Sequence, residues 1–256
     1  AYNPDQYVIG YVSIGETAEL FTDLSGNPLD IYFLDANGDP IEDVNWNAYY
    51  VDARKPLWHD YILNKYLPEL YAEGFDGVFL DLVDIITYVN PSQGIDFTVS
   101  KSGMADLIKA IKLKFPDKKT IINGGYSLLV GGPDDVRSSI DAIMIESFSS
   151  TWADNTVDSS GAFNENYHAY PKDSYDYRIM EELAWQINPI RFEYDEDGEV
   201  VRDAGGEPVR TNDFFHVMAL DYVKNTSSAQ MDIMVEAVER AWDYYFLPAA
   251  GVKELW

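Results

Sequence analysis

The sequence predicts an α/β fold in which parallel strands alternate with helices, and three observations carry that prediction. The chain has 256 residues, a length that one β/α barrel commonly fills. Short apolar runs alternate with segments whose apolar residues recur every three or four positions. Polar residues follow most of the apolar runs. We therefore expect an α/β domain with functional groups at its strand ends.

The predicted strands are short apolar runs, each of a length that suits a buried strand. They lie at 7–14, 48–53, 77–82, 120–124, 142–147, 216–222 and 244–249. Amphipathic helices are predicted at 57–73, which stops at Gly74, and at 103–115, which ends before Pro116. A last helix begins at Ser227 or Ser228, either of which can cap it.

Two segments depart from this alternation. Residues 31–43 and 191–210 read as extended arms around Asn-Gly or Asp-Gly turns, which predicts two β-hairpin insertions. The polar segment 149–166 predicts a long loop. No internal repeat is evident, and we expect residues 1–256 to form a single domain.

The charge of the chain narrows its partners. The formal charge is -26, from 44 acidic and 18 basic side chains, which argues against a nucleic-acid partner and favours a cationic one. No apolar run approaches the ~20 residues that a membrane-spanning helix needs. The first residue is Ala1 rather than Met, which we interpret as a processed N-terminus. We expect a monomer that is secreted or at the cell surface, with a cytoplasmic location as the alternative.

Polar residues recur where the predicted strands end. Because the carboxyl ends of barrel strands meet on one face, these side chains are predicted to line one cleft. They are Ser13 and Glu16, Asp52 and Arg54, Asp81 and Asp84, Asn123, Glu146, and Asp221 with Tyr222.

The residue types narrow the reaction class. The chain has no cysteine, its three histidines lack the spacing of a zinc site, and it has neither a Gly-x-Ser-x-Gly motif nor a phosphate-binding loop. What remains is a set of carboxylates with aromatic residues nearby, which is typical of a glycoside hydrolase that needs no cofactor. Tyr126, Trp152 and Tyr222 are candidate sugar platforms, with packing roles as the alternative.

Two other functions stay open. An Asp81–Asp84 site for Mg²⁺ or Ca²⁺ would need similar residues and would make the protein a carboxylate-metal hydrolase. A barrel that binds glycans without cleaving them would keep the aromatic residues but lose one carboxylate.

Six motifs, in this order, resemble those of glycoside hydrolase family 114, the endo-α-1,4-polygalactosaminidases and their cysteinyl-tRNA-synthetase-like relatives. They are YVSIGE (11–16), VDARKPLW (51–58), GFDGVFLDLVD (74–84), NGGY (123–126), IES (145–147) and LDY (220–222). The resemblance implies a (β/α)8 barrel of the TIM type and hydrolysis of α-linked galactosamine polymers. It also implies catalytic carboxylates at Asp81 and Glu146, in a cleft lined by Tyr11, Ser13, Glu16, Asp52, Asp84, Asn123 and Asp221.

Two departures from the family pattern matter. Family members carry two further strands before the YVSIGE strand, whereas only residues 1–6 precede it here, so we expect a barrel without its first two strands or one that closes differently. Leu82 follows Asp81 where the polygalactosaminidases have Asn, which affects the expected substrate.

The expected mechanism is a retaining one that uses two carboxylates. An aspartate among polar neighbours suits the ionised nucleophile, so Asp81 takes that role. Glu146 follows an apolar run, which favours the proton-carrying form and the role of general acid/base. The reverse assignment and an inverting mechanism stay open at this point.

Overall fold

The computed structural model describes residues 6–44, 46–90, 95–151, 168–170, 172, 174–223 and 228–252. The chain forms two compact units, Ala1–Asp141 and Ala142–Trp256. None of the helices in the described residues is both long and apolar enough to span a bilayer.

In its described residues, the first unit has eight strands and three α-helices. Its strands are β1 (Ile9–Ser13), β2 (Glu16–Thr17), β3 (Glu42–Asp43), β4 (Ala48–Tyr50), β5 (Gly77–Asp81), β6 (Val89–Asn90), β7 (Ile95–Asp96) and β8 (Lys119–Asn123). Its α-helices are α1 (Pro56–Tyr61), α2 (Leu67–Ala72) and α3 (Lys101–Lys114). Short 3-10 helices lie at Val83–Thr87, Thr98–Ser100, Tyr126–Leu128 and Arg137–Ser139.

A parallel sheet with the order β1–β5–β8 forms the centre of this unit. Val12, Val78, Leu80 and Ile122 alternate along the strands and are at most 1% exposed. Apolar residues at every second position place these side chains on the buried faces of the sheet. Since the strands are parallel, the side chains that follow each of them meet at one edge.

The predicted helix 57–73 is a continuous helical segment with an irregular middle. A π-helix (Ile62–Tyr66) separates α1 from α2, and the Leu67 amide donates to the Ile62 carbonyl. Pro68 lies in the first turn of α2 and has no amide to offer the preceding turn, which accounts for the wider turn at this point. Gly74, with a φ of 101°, ends the segment as predicted.

The segment around residues 29–52 forms a three-sided ring of extended chain. Ile41 donates to the Phe33 carbonyl at 2.9 Å, Tyr50 to Ile41 at 3.0 Å, and Phe33 to Tyr50 at 3.1 Å. The Asp35 carboxylate closes the first corner by accepting from two backbone amides within four residues of it. The predicted strand 48–53 is observed as the shorter strand β4, which is antiparallel to β2 and β3.

The part of the second unit that the structure describes has five strands and two α-helices. The strands are β9 (Ala142–Glu146), β10 (Ser150–Thr151), β11 (His168–Ala169), β12 (His216–Val223) and β13 (Leu247–Val252), and the helices are α4 (Tyr175–Arg191) and α5 (Ser228–Asp243). β9, β12 and β13 are parallel, and β10 pairs with β11 in antiparallel fashion. The predicted last strand starts at Leu247 because Tyr244 and Tyr245 still close the end of α5.

A second ring of extended chain lies in this unit. Val201 donates to Glu193, Val209 to Val201, and Glu193 to Val209, at 2.8–2.9 Å. Asp195 and Asp203 close its corners with the same side-chain bonds that Asp35 makes. The expectation that the chain has no internal repeat was therefore wrong. The two copies share an Asp-Ala-x-Gly-x-Pro motif at 35–40 and 203–208, which is a turn pattern that apolar periodicity does not reveal.

Helix α4 was not predicted from the sequence. Its buried residues are Ala184, Ile187, Asn188 and Arg191, so two of the four are polar. Arg191 is 2% exposed and donates to Asn188, to the Phe215 carbonyl and to the Tyr245 carbonyl. A helix that buries hydrogen-bonded polar groups carries a weak apolar pattern.

The predicted α/β architecture with parallel strands is confirmed in both units. The closed eight-stranded barrel and the single domain over 1–256 stay predictions. Most of the predicted loop 149–166 lies outside the described residues.

Candidate active site

Asp81 is the centre of a hydrogen-bonded group at the end of β5. Its Oδ2 accepts from the Tyr11 hydroxyl at 2.5 Å. Its Oδ1 accepts from Asn123 Nδ2 at 2.9 Å and from the Leu82 amide at 2.8 Å. Three donors fix the carboxylate in one orientation.

The sheet register brings these residues together. Ser13 pairs with Asp81 across β1 and β5, and Leu80 pairs with Ile122 across β5 and β8, so Asn123 follows the pair at the same level. Residues that are 70 and 42 positions from Asp81 thus contact it. Hydrogen bonds join Tyr11 and Asn123 to Asp81, and the cleft that these residues are predicted to line stays a prediction.

The backbone immediately after Asp81 has an unusual conformation. Leu82 has a φ of 59°, in the left-handed region that a leucine rarely adopts, and its amide donates to the Asp81 carboxylate. Gly15 makes the turn possible, because a Cβ at Gly15 would lie 2.7 Å from both Cβ and the carbonyl oxygen of Leu82. The glycine of the YVSIGE motif is thereby explained.

Glu16 lies beside this group as a partly buried carboxyl group. Its amide donates to Ser13 Oγ at 3.2 Å, which ties together two of the predicted cleft residues. Burial raises the pKa of Glu16 to about 7, and the carboxylates of Asp43 and Asp81 add to the increase. Its Oε2 is buried and has no hydrogen-bond partner among the described residues. Glu16 can therefore carry a proton near neutral pH and donate it to a ligand oxygen.

Asp84 and the glycines after β8 form another edge of the site. Gly124 and Gly125 have φ of 64° and 74°, and a Cβ at Gly124 would lie 2.8 Å from Asp84 Cβ. The NGGY motif thus lets the backbone approach Asp84 closely. Asp84 lines a solvent-filled recess, where partial burial raises its pKa and the Asp81 carboxylate adds to the increase. Tyr126 begins the next 3-10 helix.

A cavity of about 330 Å³ opens beside Tyr11, Ser13 and Glu16. Its other wall carries aromatic residues that the sequence analysis did not single out as site residues: Phe21, Trp58, Tyr61 and Tyr66. Trp58 and Tyr61 stack with centroids 5.5 Å apart. Aromatic faces beside carboxyl groups suit a sugar ring. Trp58 is only 2% exposed, so it packs in the core behind this wall, as the helical periodicity of 57–73 indicates.

Asp52 does not fit its predicted place in the cleft. It follows the antiparallel strand β4, and it is 3% exposed. Arg54 binds both of its oxygens, with Nε 2.9 Å from Oδ1 and Nη2 2.7 Å from Oδ2. Asp52 therefore stabilises the turn between β4 and α1, and its placement argues against a substrate contact.

The second unit holds the remaining predicted residues. Glu146 ends β9 and is exposed, whereas the four residues before it are buried. Asp221 is 1% exposed, and its Oδ1 accepts from the amides of Ser149 and Ser150 and from Ser150 Oγ at 2.7–3.0 Å. It thereby anchors the backbone just after Glu146, which favours a supporting role over a direct substrate contact.

Two predicted residues are not described in full. Trp152 lies outside the described residues, and Tyr222 is placed only through its backbone, which pairs with Gly251 in β12 and β13. Within the described part of the chain, no group of three or more His, Asp or Glu side chains has a geometry suited to a metal ion.

The comparisons with known proteins identify the family. The profile of glycoside-hydrolase family GH114 matches residues 2–169, which is more than half of the chain. No curated protein matches the sequence.

Among solved structures, the chain is similar to the glycoside hydrolase domain of PelA from Pseudomonas aeruginosa, with 17% identity and a TM-score of 0.59 over 96% of this chain and 78% of that one. A single-residue variant of that domain gives the same values. The α-galactosidase TtGalA from Thermus thermophilus, in complex with stachyose, has 11% identity and a TM-score of 0.48 over 95% of this chain and 45% of that one.

Proposed function

Because this chain belongs to glycoside hydrolase family GH114, we propose that it cleaves α-linked amino-sugar polymers that contain galactosamine. The family places it among the glycoside hydrolases, whose substrates are carbohydrates. The observation that carries the proposal further is the Asp81 carboxylate, fixed by Tyr11, Asn123 and the Leu82 amide at a strand end. A carboxylate that is held in one orientation at a strand end suits nucleophilic attack on a sugar.

The mechanism that we assign is a retaining one. An Asp81 oxygen bonds to the anomeric carbon while the glycosidic bond breaks, and Glu146 gives its proton to the departing oxygen. Water then attacks the same carbon, Glu146 takes a proton from that water, and the Asp81 carboxylate leaves. Glu146 enters this proposal through the family motif and through its exposed position at the end of β9.

The preference for an amino sugar rests on charge. The chain carries a formal charge of -26, Glu16 and Asp84 lie near Asp81, and Asp43 lies near Glu16. Free galactosamine polymers are cationic near neutral pH, so such a surface attracts them. The proposal takes the protein to be a monomer that acts on polysaccharide outside the cell.

The test is a screen of the purified protein against deacetylated polygalactosamine, galactosaminogalactan and common α-glycans, with products resolved by mass. We expect Asp81→Asn and Glu146→Gln each to lower kcat by about 10³-fold or more on the glycan that the wild type cleaves. Asp106→Asn and Glu182→Gln, which change exposed carboxylates on α3 and α4, serve as matched controls. The assignment fails if both site variants keep full activity on every such glycan.

A further inference from the structure

A second cavity lies beside Asp81, and the sequence analysis did not anticipate it. It has a volume of about 420 Å³, and its walls include Asp43, Trp46, Asp84 and Tyr88. Leu82 also lines it, and the Leu82 amide is bonded to the Asp81 carboxylate. The cavity therefore adjoins the proposed nucleophile directly.

Asp81 forms hydrogen bonds to one lining residue of each of two cavities, and the two cavities share no lining residue. The first cavity includes Tyr11, whose hydroxyl bonds to one oxygen of Asp81, and the second includes Leu82, whose amide bonds to the other oxygen. A polymer whose scissile bond lies at Asp81 has sugar residues on both sides of that bond. Two cavities in this arrangement suit such a chain better than a single monosaccharide.

The wall of the second cavity is held rigidly. Phe97 is fully buried and its ring contacts those of Phe33, Tyr50 and Tyr88, with centroid distances of 4.5, 4.7 and 5.8 Å. The buried Phe97 side chain thus links the ring of extended chain at 29–52 to the segment after Asp81. The Val51 amide adds a bond to the Gly15 carbonyl at 2.8 Å. A preformed wall lowers the entropy cost of binding a ligand.

The lining of this cavity combines exposed aromatic faces with oriented oxygens. Trp46 is 76% exposed and Tyr88 is 47% exposed, although their rings would be expected to bury apolar area. The Tyr50 hydroxyl donates to Asp43 Oδ2 at 2.6 Å, which fixes that carboxylate at the edge of the cavity. An apolar ring face next to hydrogen-bond acceptors matches a pyranose, which has an apolar face and a rim of hydroxyl or amine donors.

From this arrangement we infer that the cavity of Asp43, Trp46, Asp84 and Tyr88 is a subsite for a sugar residue of the polymer that does not take part in bond cleavage. The sugar ring stacks on Trp46, and the Asp43 and Asp84 carboxylates accept hydrogen bonds from its hydroxyl or amine groups. The inference rests on the proposed function. This subsite would also assign a function to the ring of extended chain at 29–52, because that segment supplies Trp46, Asp43 and Tyr50.

The experiment compares Trp46→Ala with the wild type on galactosamine oligosaccharides of increasing length, in acetylated and deacetylated form. Because an aromatic contact is worth about 0.5–1.5 kcal/mol, we expect the gain in kcat/KM from short to long substrates to fall about 2- to 12-fold in the variant. Trp46→Phe is expected to restore part of the gain. Trp242→Ala, which removes an exposed tryptophan from α5, is the matched control and should keep it.

The outcomes separate this inference from the proposed function. If the wild type cleaves none of the glycans, the proposed function fails. If it cleaves them but Trp46→Ala shows the same length dependence as the wild type, only the subsite is wrong. Circular dichroism spectra that match the wild type exclude misfolding as the cause of a loss. Asp43→Asn removes one negative charge from the cavity and tests which group of the sugar Asp43 binds. A loss of kcat/KM confined to deacetylated substrates identifies an amine at this subsite, and equal losses on both forms identify a hydroxyl.

Discussion

The Tyr11 hydroxyl donates a 2.5 Å hydrogen bond to the Asp81 carboxylate across two neighbouring parallel strands. Tyr11 is 59% exposed, so its phenol lies at the surface of the site and not in the core. This bond couples the first strand of the described chain to the residue that we assign as the nucleophile.

Tyr11→Phe removes only the donor in that bond. We expect kcat to fall about tenfold, because a hydrogen bond to a charged group is worth about 1.5–3 kcal/mol and part of it is recovered from water. Steady-state rates on the cleaved glycan measure the effect. Tyr175→Phe, at an exposed position of α4, is the control and should leave kcat unchanged. An unchanged kcat in Tyr11→Phe would show that this bond does not assist catalysis.

Glu16 makes the stability of the fold depend on pH. Its pKa in the folded protein, about 7, lies above its ordinary value of 4.5, so the folded state holds the proton more tightly than the unfolded state. The favourable contribution is present below about pH 4.5 and is lost as the pH rises through 7. Glu16→Gln keeps the neutral form at every pH.

We therefore expect Glu16→Gln to gain stability relative to the wild type between pH 5 and pH 8, by on the order of 1 kcal/mol after solvent screening. Urea unfolding at the two pH values measures it. Glu19→Gln, at an exposed neighbour, should show no such change. If the difference between Glu16→Gln and the wild type is the same at both pH values, the raised pKa of Glu16 is refuted.

Asp221 is expected to matter for folding as much as for activity. Asp221→Ala would leave the buried amides of Ser149 and Ser150 without their acceptor, which costs about 1–3 kcal/mol for each unsatisfied group. We expect a loss of about 3 kcal/mol in the free energy of unfolding, measured with urea. Asp232→Ala on the exposed face of α5 should change it by less than ~0.5 kcal/mol. A small effect at Asp221 would mean that the backbone after Glu146 is held by other contacts.

Salt should weaken the reaction on a cationic substrate. Added salt screens the attraction between a chain of charge -26 and a free-amine polymer, so kcat/KM on deacetylated polygalactosamine is expected to fall steeply as ionic strength rises. The fully acetylated polymer carries no charge and provides the control. Equal salt responses on the two polymers would refute electrostatic attraction of the substrate.

The sequence by itself located the parallel strands of the two units, whereas most of the short antiparallel strands were not predicted. Apolar alternation is a local property, so Val78 and Leu80 located β5, and Asp81 followed at its carboxyl end. The type of reaction was also readable, because carboxylates were abundant while cysteine and a histidine metal spacing were absent. Helix α4 was not predicted because two of its buried residues, Asn188 and Arg191, are polar. Arg191 donates to the distant backbone carbonyls of Phe215 and Tyr245, and no local sequence pattern indicates such contacts.

Only the tertiary structure decided which of the polar residues meet. Asp52 and Asp81 looked alike in sequence, as acidic residues after apolar runs, yet one is buried against Arg54 and the other is half-buried and hydrogen-bonded to Tyr11 and Asn123. The difference lies in strand pairing, since β4 pairs in antiparallel fashion outside the central sheet while β5 pairs between β1 and β8. Pairing joins residues about 40 to 70 positions apart, and such contacts depend on the whole fold and not on the residues beside each aspartate.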